Sequence, residues 1–318
     1  MVVTKFYCLG LVLLCFVLCL NGAKGIKREE PTQDEALHEK GPGVKVLFPE
    51  RNYIANGTSI YISNGTSVNG LGDRVQYFAS YFSNEGKWGT QAALIVYGLP
   101  NVQTNQLSSV FVSLVTAMND SSNILNSISA GWYFRIYTVI TILIFFTYWT
   151  ADGFKNTGCY NVLCKGFVPS SPSQAPGFKI WPLSKYKGDQ YIIKVKIHKD
   201  NISGNWLLHV QDSLLGYWPE TLFTSLFESA QQIAWNGNVN FAKNLKGPPL
   251  GSGHFPEEGG GKAAAIQDIQ FVNQHGQPYD LTPDRVSSHV DKKDCYRVGE
   301  FYRAEIGFMF YLGGPGGC

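Results

Sequence analysis

Alternating apolar and polar residues recur in short segments along most of this chain. Gln190–His198 is the clearest case, with apolar side chains at Tyr191, Ile193, Val195 and Ile197, and polar ones at Lys194, Lys196 and His198. A period of two predicts a half-buried antiparallel strand. The turn Asp200–Gly204 and the β-prone segment Asn205–Gln211 then predict a hairpin.

Gly, Pro, Asn and Asp separate further segments rich in β-branched and aromatic residues, which predict strands at Tyr77–Phe82, Ala92–Tyr97, Ser109–Val115, Gly131–Ile136 and Ile140–Trp149. The uncharged stretch Ile136–Trp149 is about fourteen residues long, short of the roughly 20 that a membrane helix needs. We therefore predict buried strands there.

Pro219–Ala234 predicts one short helix, because Leu222, Leu226 and Ala230 recur at a spacing of four residues. Many strands with one helix, and no alternation of strands and helices, predict an all-β fold. We expect an antiparallel β-sandwich of two sheets.

Composition agrees with this fold, since charged residues make up only 16%, aromatic residues 14%, and 34 of the 318 residues are glycine. The net charge of +2 and the absence of a long basic run give no reason to expect a nucleic-acid partner.

The N-terminus has the features of a secretory signal peptide. Lys5 precedes the apolar run Phe6–Leu20, and small residues follow at Asn21–Ala23. We predict a signal peptide at residues 1–23, a polar leader or shortened pro-segment at 24–75, and the main domain at 76–318. A secreted protein with no membrane attachment after signal removal is expected.

Four cysteines remain after residue 23: Cys159, Cys164, Cys295 and Cys318. An even number in an oxidising compartment predicts two disulfides, with three possible connectivities, of which local pairing is the simplest. Zinc is the competing interpretation, but no C-x2-C spacing occurs. We predict no metal and no cofactor. Four N-x-S/T acceptors also fit an exported glycoprotein, at Asn56, Asn64, Asn119 and Asn201.

Several ordered motifs across residues 76–318 closely resemble the plant neprosin domain. They are FTYWTADG (146–153), TGCYNVLC (157–164), SGNW (203–206), GYWP (216–219), GSGHFPEEG (251–259) and the closing GGPGG–Cys318. The resemblance implies a secreted, extracellular (apoplastic) protein with a β-sandwich fold and two locally paired disulfides. It also implies a peptidase that cuts after proline in acid, using two glutamates and no metal.

Both glutamates that the resemblance implies are replaced in this chain. The family's I-E-A-G-W string is here Ile128–Trp132 with Ser129 at the glutamate position. Its W-G-G-E-V string is here Trp235–Val239, with Asn238 at the position of the second glutamate. A hydroxyl and an amide can hold a water molecule, but neither exchanges protons in mild acid.

These replacements favour a catalytically inactive, glutamic peptidase-like protein that binds an extended, proline-rich peptide. One alternative is an active peptidase that uses Glu257 or Glu258 of the HFPEE segment, so the sequence leaves enzymatic activity open. Another is a module that binds a cell-wall glycan. Trp132, Trp206 and Trp235 either line the cleft or pack in the core of the sandwich.

Overall fold

The computed structural model describes residues 44–46, 74–99, 102–117, 125–137 and 140–318. Within these residues one sheet has seven strands: β2 (Arg74–Ser83), β4 (Gln106–Ala117), β5 (Leu125–Tyr137), β6 (Ile140–Thr150), β7 (Cys159–Tyr160), β12 (Gln232–Ala242) and β15 (Val286–Val290). Their spatial order is β15-β2-β12-β4-β5-β6-β7, and every neighbouring pair is antiparallel.

The second sheet has eleven described strands: β1 (Val44–Val46), β3 (Gly89–Ile95), β8 (Val168–Pro169), β9 (Gln190–Lys199), β10 (Trp206–Val210), β11 (Ser213–Trp218), β13 (Ala264–Val272), β14 (Pro278–Tyr279), β16 (Arg297–Val298), β17 (Tyr302–Ala304) and β18 (Gly307–Gly313). Its main path is β16-β18-β13-β3-β9-β10-β11-β8. All pairs are antiparallel except β1 with β9.

The main core lies between the two sheets. Val112 and Trp132 of the seven-stranded sheet and Val195, Ile197 and Leu208 of the eleven-stranded sheet belong to one buried cluster. Inward and outward residues alternate along the strands, as the pattern of period two requires. The bulge in β13 interrupts this alternation, so that Ile266 and Ile269 both face the core. The prediction of an all-β, antiparallel sandwich of two sheets is therefore confirmed.

The strand predictions hold at the segments that the structure describes. Ile136–Trp149 lies in β5 and β6 apart from residues 138–139, and the hairpin after Gln190 is formed by β9 and β10. None of the helical turns within the described residues is long and apolar enough to cross a membrane.

The predicted helix at Pro219–Ala234 is wrong. A single 3-10 turn covers Glu220–Leu222, irregular loop follows, and β12 begins at Gln232. Leu226 and Ala230 are buried, as the apolar spacing suggested, but they belong to a loop that packs on the sheet.

The side chain of Asn126 explains this loop. Its Oδ1 accepts hydrogen bonds from the backbone amides of Thr224 (2.8 Å), Ser225 (3.0 Å) and Leu226 (3.4 Å). An amide that donates to a side chain does not need a helical carbonyl partner. Asn126 lies almost one hundred residues earlier in the chain, so local spacing did not reveal it.

Two described strands include residues on the N-terminal side of the predicted start of the main domain at residue 76. β2 begins at Arg74 rather than at residue 76. Val44–Val46, placed in the predicted leader, pairs in parallel with Gln190–Ile192 of β9. The predicted signal peptide lies outside the described residues.

Candidate functional site on the outer face of the seven-stranded sheet

Ser129 and Asn238 lie on the same face of the seven-stranded sheet, on the side opposite the main core. Ser129 in β5 is directly opposite Ser113 of β4, and Asn238 in β12 is directly opposite Ser109 of β4. Directly opposed residues of antiparallel strands share a face. The structure therefore brings both replaced positions to one surface, which we call the outer face.

The two side chains do not reach each other. β4 lies between their strands, and the register places them four residues apart along it. Two strand spacings alone separate them by about 10 Å. Phe111 occupies the middle of this diagonal, opposite Asn236 on one side and Gly131 on the other.

Gly131 is required by the close approach of β4. A Cβ atom at this position would collide with the carbonyl oxygen of Val110 and with Cβ of Phe111. The glycine of the motif at 128–132 therefore has a packing role, independent of the side chain at Ser129.

Asn238 is fully buried and hydrogen-bonded within the sheet. Its Nδ2 donates to the carbonyl of Tyr77 (3.1 Å), and the hydroxyl of Ser109 donates to its Oδ1 (3.4 Å). An amide with both ends engaged holds its neighbours in place, and it has no proton to exchange in mild acid.

Ser129 is also fully buried, but its Oγ has no hydrogen-bond partner among the described residues. Ser113, directly opposite, accepts a bond from Asn236 Nδ2 (2.9 Å), and Asn236 in turn accepts one from Ser80 (3.0 Å). Leaving a buried hydroxyl unpaired costs about 1–3 kcal/mol. Ser129 is therefore the one unsatisfied member of this row of short polar side chains.

Aromatic side chains surround these polar groups on the outer face. The cluster consists of Phe78, Phe111, Phe146, Tyr148, Phe154 and Tyr160, all at most 9% exposed. Phe111 and Phe146 meet edge to face with ring centroids 5.7 Å apart, and Tyr148 and Tyr160 lie 4.5 Å apart. Positions 129 and 238 are thus shielded from solvent.

No outward-facing position in the described parts of β2, β4, β5, β6 and β12 carries a carboxylate. At the edge of the sheet, Asp291 accepts a bond from the backbone amide of Phe78 (2.7 Å) and pairs with His289 (2.8 Å). Both oxygens of Asp291 therefore have local partners.

Asp152 of the FTYWTADG motif closes the loop that follows β6. It accepts bonds from the amides of Lys155, Asn156 and Thr157 and from the hydroxyl of Thr157. Burial alone would raise the pKa of this carboxyl group, but the four hydrogen bonds outweigh it and lower the pKa. Its role is to stabilise the loop.

Glu257 and Glu258 of the HFPEE segment lie in the 3-10 turn Pro256–Glu258. Glu257 pairs with Arg297 (3.1 Å), and Glu258 bonds to His254 (2.8 Å) and to the hydroxyl of Tyr186 (3.0 Å). Arg297 lies in β16 of the eleven-stranded sheet, and His254 and Tyr186 lie in loops. None of these partners is on the outer face, so the structure does not bring these carboxylates to Ser129 or Asn238.

The tryptophans named as candidate cleft residues do not line the outer face. Trp132, Trp206 and Trp235 are fully buried between the two sheets. Their indole N–H groups donate to Ile95 O (3.2 Å), Leu226 O (2.9 Å) and Thr90 Oγ1 (3.1 Å) respectively. Of the two alternatives left open by the sequence, packing in the core therefore holds for all three, because each lies at an inward position of its strand.

The cysteines pair locally as Cys159–Cys164 and Cys295–Cys318, which leaves none of the four for zinc. Among the acceptor asparagines, Asn201 lies exposed in the turn between β9 and β10. Asn56, Asn64 and Asn119 lie outside the described residues.

Sequence reasoning missed a cavity of about 770 Å³ elsewhere in the fold, lined in part by Trp181, Tyr186 and His254. The signal in the sequence was a group of aromatic and proline residues in two loops. The alternation of apolar and polar residues predicts strands and gives no information about such loops.

Comparison with known proteins gives one family match. The family model described as Neprosin matches residues 104–315. Two solved structures of scytalido-glutamic peptidase with transition-state analogues align with TM-scores of 0.41 and 0.39 and sequence identities of 6% and 8%. The two alignments cover 75% and 74% of this chain, and 98% and 97% of the respective peptidase chains. A κ-carrageenase from Pseudoalteromonas carrageenovora aligns with a TM-score of 0.29 and a sequence identity of 8%. This alignment covers 78% of this chain and 80% of the carrageenase chain.

Proposed function

This chain belongs to the neprosin family, and we propose that it is a secreted member that does not hydrolyse peptide bonds. The observation that carries the proposal is the pair of neutral residues, Ser129 and Asn238, at the positions where the resemblance places the two glutamates. The family motifs around them are otherwise recognisable.

The chemistry of a two-carboxylate peptidase explains why these replacements matter. Two facing carboxyl groups keep one proton between them, so the charged group activates water while the protonated one assists the leaving group. Each such acid or base accelerates the reaction roughly 10²–10⁴-fold. A serine hydroxyl and a carboxamide remain neutral and unreactive over the same pH range.

Two features support secretion as part of the proposal, one in the sequence and one in the structure. One is the apolar run Phe6–Leu20 with small residues after it. The other is the use of all four later cysteines in disulfides, which persist in oxidising compartments.

The burial of the residues on the outer face limits how an extended peptide could bind there. Ser129 and Asn238 are fully buried and Phe111 is 1% exposed. A peptide on this face would have to make contact above the aromatic cluster or displace part of it. Peptide binding is therefore a separate proposal from the loss of hydrolysis.

The experiment is digestion of a proline-containing peptide by the purified protein, followed by mass spectrometry between pH 3 and 7. We expect no cleavage. Cleavage that copurifies with the folded protein would show that the proposal is wrong, and Ser129→Ala would then test whether position 129 takes part. Glu257→Gln, Glu258→Gln and Asp291→Asn would then identify the carboxylate responsible.

A further inference from the structure

A cavity of about 770 Å³ lies at one end of the eleven-stranded sheet, between the loop 181–189, the start of β9 and the loop 249–254. Its size falls within the range of small-molecule sites. Tyr97, Gly98 and Leu99, which follow β3, contribute to its wall. We call this cavity the aromatic pocket.

Two aromatic side chains of the aromatic pocket are unusually exposed. Trp181 is 53% exposed and Tyr186 is 42% exposed, whereas Trp132, Trp206, Trp218 and Trp235 are fully buried. Lys179 Nζ lies 5.5 Å from the centroid of the Trp181 ring. A large exposed ring in a concave site offers a flat apolar face to a ligand.

Hydrogen bonds fix the orientation of the polar groups beside these rings. His254 stacks on Tyr186 with centroids 4.2 Å apart, and its Nδ1 lies 2.8 Å from Glu258 Oε1. The hydroxyl of Tyr186 donates to the other oxygen of Glu258 at 3.0 Å. With Nδ1 engaged, Nε2 of His254 is the ring atom that is left for a ligand.

The rim of the aromatic pocket contains both acceptors and donors. Asp189 contributes a carboxylate, Lys185 an ammonium group and His254 an imidazole, while Leu183 and Pro182 are apolar. A suitable ligand must therefore combine an apolar face with groups that both donate and accept hydrogen bonds.

We propose that the aromatic pocket binds a short neutral oligosaccharide. A sugar ring has a C–H face that can stack on Trp181 beside the Tyr186–His254 stack, and its hydroxyl groups donate and accept at the same time. The proposal does not depend on the absence of hydrolysis, because the pocket shares no residue with the outer face.

A proline-rich peptide fits the same pocket less well. Such a peptide offers mainly carbonyl acceptors, because proline has no backbone N–H. Asp189 already accepts a hydrogen bond from the hydroxyl of Tyr191 (3.4 Å), and a proline-rich peptide adds few further donors to this acceptor at the rim. A hydroxyl-rich ligand supplies such donors.

The test is isothermal titration of the full mature protein with cellohexaose, xylohexaose, mannohexaose and laminarihexaose, and with decaproline as the competing ligand. We expect at least one hexasaccharide to bind with a millimolar or lower Kd, and decaproline not to bind. Quenching of Trp181 fluorescence by iodide should fall when the sugar is bound, because this ring is the most exposed indole among the described residues.

Variants locate the binding site. Trp181→Ala should weaken binding at least tenfold and Trp181→Phe much less, since phenylalanine keeps an aromatic face. His254→Phe should keep the stack on Tyr186 but lose about fivefold in affinity. Tyr302→Ala, which removes a ring that is 36% exposed on β17, is the matched control and should bind normally.

The proposal is overturned if none of the four hexasaccharides binds at millimolar concentration, or if decaproline binds instead. Binding that is unchanged in a folded Trp181→Ala protein would contradict it equally. The melting temperature of Trp181→Ala shows whether the variant is folded, and an exposed ring should change it little.

Discussion

Ser129 and Asn238 share the outer face of the seven-stranded sheet, separated by β4 and by four residues of register. Both are fully buried, and their side chains are too short to meet across the intervening strand. The two positions therefore do not form a joint site for a water molecule in this chain.

A carboxylate restored at position 129 should make stability depend on pH. In Ser129→Glu, burial should raise the pKa of the new carboxyl group by two to three units. Because the unfolded chain has a pKa near 4.3, the added destabilisation is absent below that pH. It should grow to about 2.5–3.5 kcal/mol at pH 7.

Ser129→Gln is the matched control, since glutamine has nearly the same volume as glutamate and does not titrate. Urea unfolding of both variants at pH 4 and pH 7 measures the difference. Equal pH dependence in the two variants would show that position 129 is accessible to water in the folded protein.

Asn126 should be essential to the loop that replaces the predicted helix. Asn126→Ala removes the acceptor for the amides of Thr224, Ser225 and Leu226 and a donor to the carbonyl of Ala151. Leaving several buried groups unpaired should lower the free energy of unfolding by about 3–5 kcal/mol. Asn84→Ala, at an exposed position, should change it by less than about 0.5 kcal/mol.

The sequence predicted the strands well where one face is buried and the other polar, as in Gln190–His198. It also predicted β6 correctly, because a short uncharged run rich in β-branched residues fits a strand buried on both faces. These features depend on neighbouring residues alone.

The sequence did not reveal features that depend on distant contacts. Leu222, Leu226 and Ala230 have helical spacing, but the amides of this segment bond to Asn126 of β5. The inward positions of Trp132 and Trp235 depended on the strand register. His198 was placed correctly on the polar face of β9, yet it is only 5% exposed because the turn at Gly276 packs against its ring.

The buried pair His198 and His209 should make the fold sensitive to mild acid. The rings stack with centroids 5.4 Å apart on neighbouring strands. Burial lowers the pKa of His198 to about 4, assisted by the charges of His209 and Lys196. Burial and Lys196 lower the pKa of His209 to about 4 as well.

Both histidines have a pKa near 6.5 in the unfolded chain, so the unfolded state binds more protons below that pH. Stability is complete above pH 6.5 and should fall as the pH drops towards 4, by about 2–3 kcal/mol for His198. His198→Phe should reduce this slope in urea unfolding experiments, whereas His275→Gln, at an exposed histidine, should preserve it. An unchanged slope in His198→Phe would assign the acid sensitivity to other groups.

The two disulfides should contribute unequally to stability. Cys295–Cys318 spans 23 residues and Cys159–Cys164 spans 5. The entropy of loop closure predicts losses of about 3.5 and about 2 kcal/mol when each pair is replaced by alanine. Thermal unfolding of the two double variants tests this order, and a larger loss for the shorter loop would contradict the entropic account.

The most direct test of the central claim is the rate at which the purified wild-type protein cleaves a proline-containing peptide at pH 5, where the histidine pair should leave it largely folded. Circular dichroism at the same pH establishes that the protein is folded. We predict a rate equal to that of a blank without protein, because the described outer face has no carboxyl pair to exchange protons. Cleavage above the blank that copurifies with the folded protein would contradict the account.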